Sequence, residues 1–204
     1  MICCPRALEV TVRYAAEHNE TTREHVLDAA SRLFREHGIA AVGLAKVMGE
    51  VGLTVGTFYT HFDSKEALLN ETLARALDAR HRELDTALKD GDVGAAVRSY
   101  LSREHRDHAA TGCPVSALAA EIARHPRATR RTFSAHHAPS LDMVAKCLSR
   151  SRAQPVDRAE AAAFFGLLSG TLQLARATAD RVESDAILEA GVRAAMQLAK
   201  SRPE

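Results

Sequence analysis

Residues 44–62 constrain the fold most, because two short helical patterns follow each other there with a glycine between them. In the first pattern, apolar residues at positions i, i+3, i+4 and i+7 share one helix face: Leu44, Val47, Met48 and Val51. Gly52 favours the left-handed conformation that ends a helix, and Thr54 is a suitable N-cap for the next one. The spacing therefore predicts two short helices joined by a tight turn.

The second of these helices has an outer face of short side chains. Leu53 and Phe58 are predicted to point inward, which turns the remaining residues outward: Thr54, Val55, Thr57, Thr60 and His61. This arrangement is typical of a helix-turn-helix, whose second helix lies in the major groove of DNA and presents its N-terminal residues to the bases. We therefore expect a DNA-binding unit in this part of the chain.

Three segments of the sequence resemble one family. Residues 52–69, GLTVGTFYTHFDSKEALL, closely resemble the recognition helix and following linker of the TetR family of bacterial transcription regulators, and residues 22–38, TREHVLDAASRLFREHG, resemble its first helix. Residues 112–126, GCPVSALAAEIARHP, are similar to a subset of these regulators with Gly-Cys-Pro at this point. The resemblance implies an all-α fold, in which an N-terminal three-helix helix-turn-helix DNA-binding domain is joined by a long helix to a helical ligand-binding and dimerisation domain.

We expect three parts along the chain: a flexible arm over residues 1–20, the DNA-binding domain over 21–68, and the ligand-binding and dimerisation domain over 69–204. Thr21 and Glu24 match a capping box, so the first helix is predicted to begin there and to end at Gly38. Ser64 is the predicted N-cap of a long helix that runs to about Leu88 and leaves the DNA-binding domain.

The rest of the chain is predicted to be helical. Helices are expected over residues 93–106, from Pro114, from Pro126 with a kink or break at Pro139, over 156–178 and over 185–200. The last two carry apolar residues on more than one face, which indicates that something besides their own domain covers them. The resemblance implies a homodimer in which these helices form a four-helix bundle and which binds a palindromic operator in double-stranded DNA. The alternative is that both are ordinary core helices.

The resemblance also assigns DNA contacts. Four side chains fall where phosphates are contacted: Thr57, Tyr59, His61 and Lys65. Three fall nearest the base edges, Thr54, Val55 and Thr60, and Lys46 completes the predicted set. Two residues depart from the family pattern, since Gly43 stands where Ser or Thr usually caps the second helix and Val55 replaces a common Lys. A core role for Tyr59 and a solvated surface role for Lys65 remain alternatives.

The charge of the chain does not by itself indicate a nucleic-acid partner. The formal net charge is +1, and residues 21–66 hold five Lys or Arg against six Asp or Glu. Hydroxyl groups, backbone amides and helix N-termini also bind phosphates, so the prediction depends on where these groups lie.

A regulator requires a signal, and the resemblance implies a small-molecule effector bound among the C-terminal helices. The candidate lining residues, each equally suited to a plain core, are Phe133, Met143, Cys147, Phe164, Phe165 and Gln173. Cys113 offers a second route, because a helix N-terminus stabilises a thiolate that reacts with oxidants or electrophiles. A buried, unreactive Cys113 is the alternative. A metal site at His105, His108, Cys113 and His125 is disfavoured, since structural zinc sites have closer ligand pairs, and no metal or cofactor is expected.

Other classes of protein are disfavoured. The four Cys include no CxxC pair, and no stretch resembles a signal peptide or a membrane span, so a cytoplasmic location is expected. No Gly-rich phosphate loop, nucleophile elbow or paired-acid motif is found, so an enzyme is not expected. Three hypotheses remain: a ligand-responsive dimeric repressor, a redox or electrophile sensor acting through Cys113, and a helical small-molecule-binding protein or enzyme without operator binding.

Overall fold

The computed structural model describes residues 6–89 and 92–200, with side chains described from residue 19 onward. Within these ranges the regular elements are all helical, which confirms the predicted fold class. They are α1 (Arg6–His37), α2 (Leu44–Glu50), α3 (Val55–Phe58), α4 (Lys65–Ala87), α5 (Val93–Tyr100), α6 (Arg103–Asp107), a 3₁₀ turn (Ala109–Thr111), α7 (Pro114–Ile122), α8 (Arg127–Arg152), α9 (Arg158–Ala177) and α10 (Arg181–Lys200). None of the described helices is both long and apolar enough to cross a membrane.

Helix α1 begins at Arg6, so the prediction that the first helix starts at Thr21 is wrong. The sequence of α1 contains neither glycine nor proline, and nothing in it interrupts helical hydrogen bonding, so Thr21 lies inside the helix and not at its cap. The segment predicted as an arm is thus helical from Arg6 onward, while residues 1–5 lie outside the described part. Helix α1 ends before Gly38, as predicted, because Gly38 adopts a φ of +83°. The division into three domains stays a prediction.

Helices α1 to α4 share one apolar core. Its fully buried side chains include Val26, Phe34, Val47, Met48 and Phe58. The turn between α2 and α3 has the predicted geometry: Gly52 adopts a φ of +71°, and the amide of Leu53 donates to the Met48 carbonyl at 2.9 Å. This core fixes the position of α3 relative to α1, α2 and α4.

The predicted helix over residues 93–106 is divided into α5 and α6. Ser102 takes an extended conformation and caps α6, since its Oγ accepts a hydrogen bond from the His105 amide at 3.1 Å. Pro139 was expected to kink or interrupt its helix, and the interruption is wrong because α8 runs through it, while the kink stays a prediction. Proline removes one backbone hydrogen bond, and the packing of α8 along α4 and α9 offsets that loss.

Helix α10 begins four residues before the predicted start, Asp185. Asp180 is the physical reason, because its carboxylate accepts a hydrogen bond from the Glu183 amide at 2.8 Å and thereby caps the helix. Pro114 occupies the first turn of α7, as predicted.

Helices α4 and α7 are among the elements that connect α1, α2 and α3 with the later helices. Helix α4 lies along α8, and Glu66 in its first turn accepts hydrogen bonds from Thr129 and from His125 Nδ1, the latter at 3.1 Å. Helix α7 makes the second connection, since Glu121 Oε2 accepts a hydrogen bond from the Ala40 amide at 3.1 Å. Helices α7 and α8 are therefore joined by direct polar contacts to the loop before α2 and to the start of α4.

Candidate DNA-binding surface and internal cavity

The outer face of α3 is open to solvent. The exposed fraction is 62% for Tyr59 and 37% for Val55, and Thr54 and Thr60 are also exposed. Phe58 lies beneath this face with no exposed surface, and its ring centroid is 5.2 Å from that of Tyr59 in an edge-to-face arrangement. Tyr59 therefore packs on the core with one edge while its side chain remains largely exposed, which argues against a core role.

The threonine hydroxyls of this face already make hydrogen bonds within the face. Thr60 Oγ1 donates to the Thr57 carbonyl at 2.7 Å, and the Oγ1 atoms of Thr54 and Thr57 are 3.2 Å apart. A hydroxyl has one donor, so Thr60 can only accept a further bond while this contact persists, whereas one of the other two hydroxyls keeps its donor free. Thr57 and His61 are half-buried.

The two lysines of the predicted set differ in their surroundings. Lys46 is exposed on α2. Lys65 is half-buried, its Nζ donates to the Ile39 carbonyl at 2.7 Å, and the ammonium lies 6.0 Å from the centroid of the Phe34 ring. An ammonium has three donors, so Lys65 retains two for a phosphate while it holds the loop after α1.

Gly43 is the N-cap of α2 and supplies no side-chain hydrogen bond. This was expected, because Gly43 stands where the family usually has a Ser or Thr cap. Its backbone is extended, and no atom lies within 4 Å of the position that a Cβ would occupy. The first amides of α2 therefore lack a side-chain acceptor and face open space.

A cavity of about 100 Å³ lies among α4, α5, α7, α8 and α9. Three of the six predicted ligand-binding residues line it: Cys147, Phe164 and Phe165. Met143 lines a separate surface hollow. Phe133 stacks beside His137, with ring centroids 5.6 Å apart, and Gln173 is exposed and donates to the Ser116 carbonyl at 2.9 Å. The structure thus brings together only half of the predicted set.

Tyr100 is the most informative cavity residue that the sequence prediction missed. It is 4% exposed, and its hydroxyl makes no hydrogen bond to any described residue. Burial raises the pKa of Tyr100 well above its ordinary value, so the phenol is protonated at neutral pH. The only signal in the sequence is its place within the amphipathic helix predicted over residues 93–106.

Cys113 is the N-cap of α7, is 1% exposed and lines the same cavity. Its amide donates to His105 Nε2 at 2.9 Å, and His105 Nδ1 lies 2.7 Å from the Tyr100 carbonyl. Two guanidiniums approach this corner, because Arg35 Nη1 donates to the Gly112 carbonyl at 3.3 Å and Arg176 Nη2 donates to the His105 carbonyl at 2.6 Å. Negative charge on the thiol would therefore have two cations nearby.

The contacts of His105 fix its tautomer. Nε2 accepts and Nδ1 donates, which is the pattern of a neutral imidazole, and burial lowers the pKa of His105 to about 4. Neither ring nitrogen is left for a metal ion. Among the described residues, no group of three or more His, Cys, Asp or Glu is arranged to hold one.

We expect His105 to make the folded state sensitive to acid. Its folded pKa of about 4 lies below its ordinary 6.5, so between these values the unfolded chain takes up a proton that the folded chain does not. The free energy of unfolding is therefore fully retained above pH 6.5 and falls by about 2 kcal/mol as the pH drops towards 4, with allowance for partial exposure. Urea unfolding at several pH values checks this. His105→Gln keeps a donor and an acceptor but does not titrate, and an equal loss in both proteins would contradict the assignment.

Two short helices joined by a tight turn, with an exposed outer face over a buried core, form the arrangement of a helix-turn-helix. Residues 26–72 match the family model of bacterial regulatory proteins, tetR family. The chain is 30% identical over 102 residues to YfiR of Bacillus subtilis, an uncharacterised HTH-type transcriptional regulator, covering 48% of this chain and 50% of that protein. It is 30% identical over 112 residues to the HTH-type transcriptional repressor NemR of Escherichia coli K12, covering 52% and 55%.

The alignments thus span about half the length of these curated relatives. The fold agrees over a longer range: the crystal structure of the reduced form of E. coli NemR superposes with a TM-score of 0.70 at 21% identity, covering 86% of this chain and 95% of that one. Over residues 26–72 the chain is thus similar to the tetR family of bacterial regulatory proteins.

Proposed function

We propose that the protein is a repressor that binds a palindromic operator as a homodimer in the cytoplasm and is released by a small molecule. The observation that supports this proposal is the open face at α3, where Val55 on the helix and Tyr59 at its C-cap are exposed on either side of the buried Phe58. The N-terminal residues of such a helix reach base edges in the major groove. Two copies would read half-sites about 34–36 Å apart or a multiple of that distance.

The outer surfaces of α9 and α10 support the dimer. They are exposed and lack charge along one stripe of small and apolar residues: Ala162, Ala163, Gly166, Leu174, Val182, Ala186 and Ala190. Gly166 and Gly170 have no atom within 4 Å of a Cβ position, so a second pair of helices can approach their backbones closely. We propose that α9 and α10 form a four-helix bundle with their symmetry mates, with the exposed Leu174 and Val182 at its ends.

The cavity supports release by a ligand. Its walls include Leu77 of α4 and Val144 of α8, and α4 continues from the cavity into the DNA-binding unit. A ligand changes operator affinity only if it binds one arrangement of these helices better than the other. We propose that the liganded arrangement turns α4 and moves the two copies of α3 out of register with the operator.

A second input is favoured by one specific observation. Cys113 lines the cavity beside Arg35 and Arg176, so a covalent adduct on its sulfur would occupy the space of a ligand. We propose that the Gly-Cys-Pro at residues 112–114 marks a subset of regulators that respond to oxidants or electrophiles in this way.

A gel-shift titration tests the proposal. The DNA is the intergenic segment beside the gene, and the titration is repeated after treatment with a thiol oxidant, with Cys113→Ser as the control. Specific retardation by the untreated protein supports operator binding, and its loss on oxidation only when Cys113 is present supports the second input. No preference for this DNA over a random sequence would leave the protein as a helical small-molecule-binding protein.

We expect substitutions at phosphate-contacting and base-contacting residues to differ in how they change the salt dependence and the sequence preference of DNA binding. Lys46→Ala should weaken binding to every sequence about tenfold and lower the slope of log affinity against log salt by about 0.9, because one phosphate loses its cation. Tyr59→Phe should weaken all sequences with little change in slope. Val55→Ala should change sequence preference, because its methyl groups suit the thymine methyl. Fluorescence polarisation at several salt concentrations measures all three.

Lys146→Ala is the matched control, since Lys146 is exposed on α8 and away from α3. Lys46 makes no phosphate contact if its removal changes affinity no more than the removal of Lys146.

A further inference from the structure

The cavity contains one buried hydroxyl group without a hydrogen bond. Tyr100 is 4% exposed and lines the cavity. Its hydroxyl is fully buried and makes no hydrogen bond to a described residue, although Cys113 and Ser116 lie close to it. A buried hydroxyl normally finds a partner, because leaving it unpaired costs the hydrogen bond that it made with water. Ser140, which is also 4% exposed, lines the same cavity. The Tyr100 hydroxyl therefore favours a ligand with a polar atom at this point.

The charged groups of the cavity compensate each other. Arg80 and Glu83 line the wall and form an ion pair at 3.1 Å, and the Arg80 guanidinium lies 5.6 Å from the centroid of the Tyr100 ring. His137 also lines the wall, and burial lowers its pKa, so it is neutral at neutral pH. Beside the Arg80–Glu83 pair, an ionised ligand would lose its hydration without gaining an unpaired counter-charge, which disfavours it at the end of the cavity that holds Tyr100.

Aromatic rings form one side of the cavity. The centroid of the Phe165 ring is 5.6 Å from that of Tyr100 and 5.1 Å from that of His137, and both pairs meet edge to face. Such rings accept a further planar group at the same spacing. The volume of about 100 Å³ is smaller than the roughly 150 Å³ of a cavity that binds benzene, so one ring is the largest group that enters, and it does so with a small outward displacement of the walls.

We propose that the effector is a small, uncharged, planar compound, no larger than one substituted ring, whose carbonyl-type oxygen accepts a hydrogen bond from Tyr100. The role of this compound as an effector rests on the proposed function. Its binding to the cavity can be measured on the protein without DNA. Ser140 holds a second polar atom of the ligand where one is present. Tyr100 thereby determines specificity, because an apolar ring of equal size leaves its hydroxyl unpaired.

The test compares benzaldehyde with toluene, which has the same ring and no acceptor oxygen. In the wild-type protein we expect benzaldehyde to bind about tenfold more tightly than toluene, measured by calorimetry or ligand-observed NMR without DNA. In Tyr100→Phe the cavity keeps its shape and loses the donor, so the two affinities become equal. The variant should melt at the same or a higher temperature, because an unpaired buried hydroxyl has been removed.

Two outcomes overturn the inference: equal affinities in the wild type, or a preference for benzaldehyde that survives in Tyr100→Phe. Binding of benzoate more tightly than benzaldehyde would also contradict it, since the ligand would then be an anion. Operator binding is measured separately by gel shift. A Tyr100-dependent preference in a protein that ignores operator DNA would leave the inference intact and remove the proposed function.

Discussion

Replacing Gly166 with arginine is expected to convert the dimer to a monomer and to lower operator affinity by at least about 100-fold, because two linked reading units bind far more tightly than one. Gly166 is exposed on α9, and no atom lies within 4 Å of a Cβ position there, so the monomer accepts the new side chain without strain. The arginine would place bulk and charge in the middle of the uncharged stripe. Sedimentation and fluorescence polarisation measure the two effects.

Ala135→Arg is the matched control, since Ala135 is exposed on α8. It should leave both mass and affinity unchanged. A dimeric Gly166→Arg protein that still binds the operator would show that α9 does not form the interface.

Phe58→Ala is expected to lower the free energy of unfolding of the DNA-binding unit by about 3–5 kcal/mol, because the substitution opens a cavity in its core. The ring is fully buried and stacks on Phe62 with centroids 5.5 Å apart. Tyr59→Ala is the neighbouring control, since Tyr59 is 62% exposed and its removal should cost about 1 kcal/mol or less. Urea unfolding followed by circular dichroism measures both.

Both variants should bind operator DNA poorly, but for different reasons: Phe58→Ala loses the position of α3, and Tyr59→Ala loses one contact. A Phe58→Ala protein as stable as Tyr59→Ala would mean that α3 does not depend on this core.

The sequence was most informative where local and tertiary requirements coincide. Between Val47 and Phe58, the apolar spacing, Gly52 and the Thr54 cap all predict the same two helices and turn, and the structure has them. The start of α1 was not predictable from the capping motif, because a capping box caps a helix only where the residues before it are not helical. Nothing in the motif itself excludes a helix that continues in front of Thr21.

The cavity was harder to predict than the turn. Cys147, Phe164 and Phe165 have the same helical spacing as ordinary core residues, and only the packing of five helices leaves space beside them. Tyr100 is recognised only in the structure, because whether its hydroxyl has a hydrogen-bond partner depends on the residues packed around it and not on its position in the sequence. The contact of Lys65 with the Ile39 carbonyl likewise depends on a loop 26 residues away.

Helix α7 has a consequence for the way a signal is transmitted. Its cap, Cys113, forms part of the cavity wall, and Glu121 in its last turn holds the Ala40 amide in the loop before α2. These two residues are about 12 Å apart along the helix axis, at about 1.5 Å per residue. Under the proposed function, a rod of this length would link the effector to α2 and α3 within a single subunit, so we expect each protomer to switch its own half of the operator before its partner has bound a ligand.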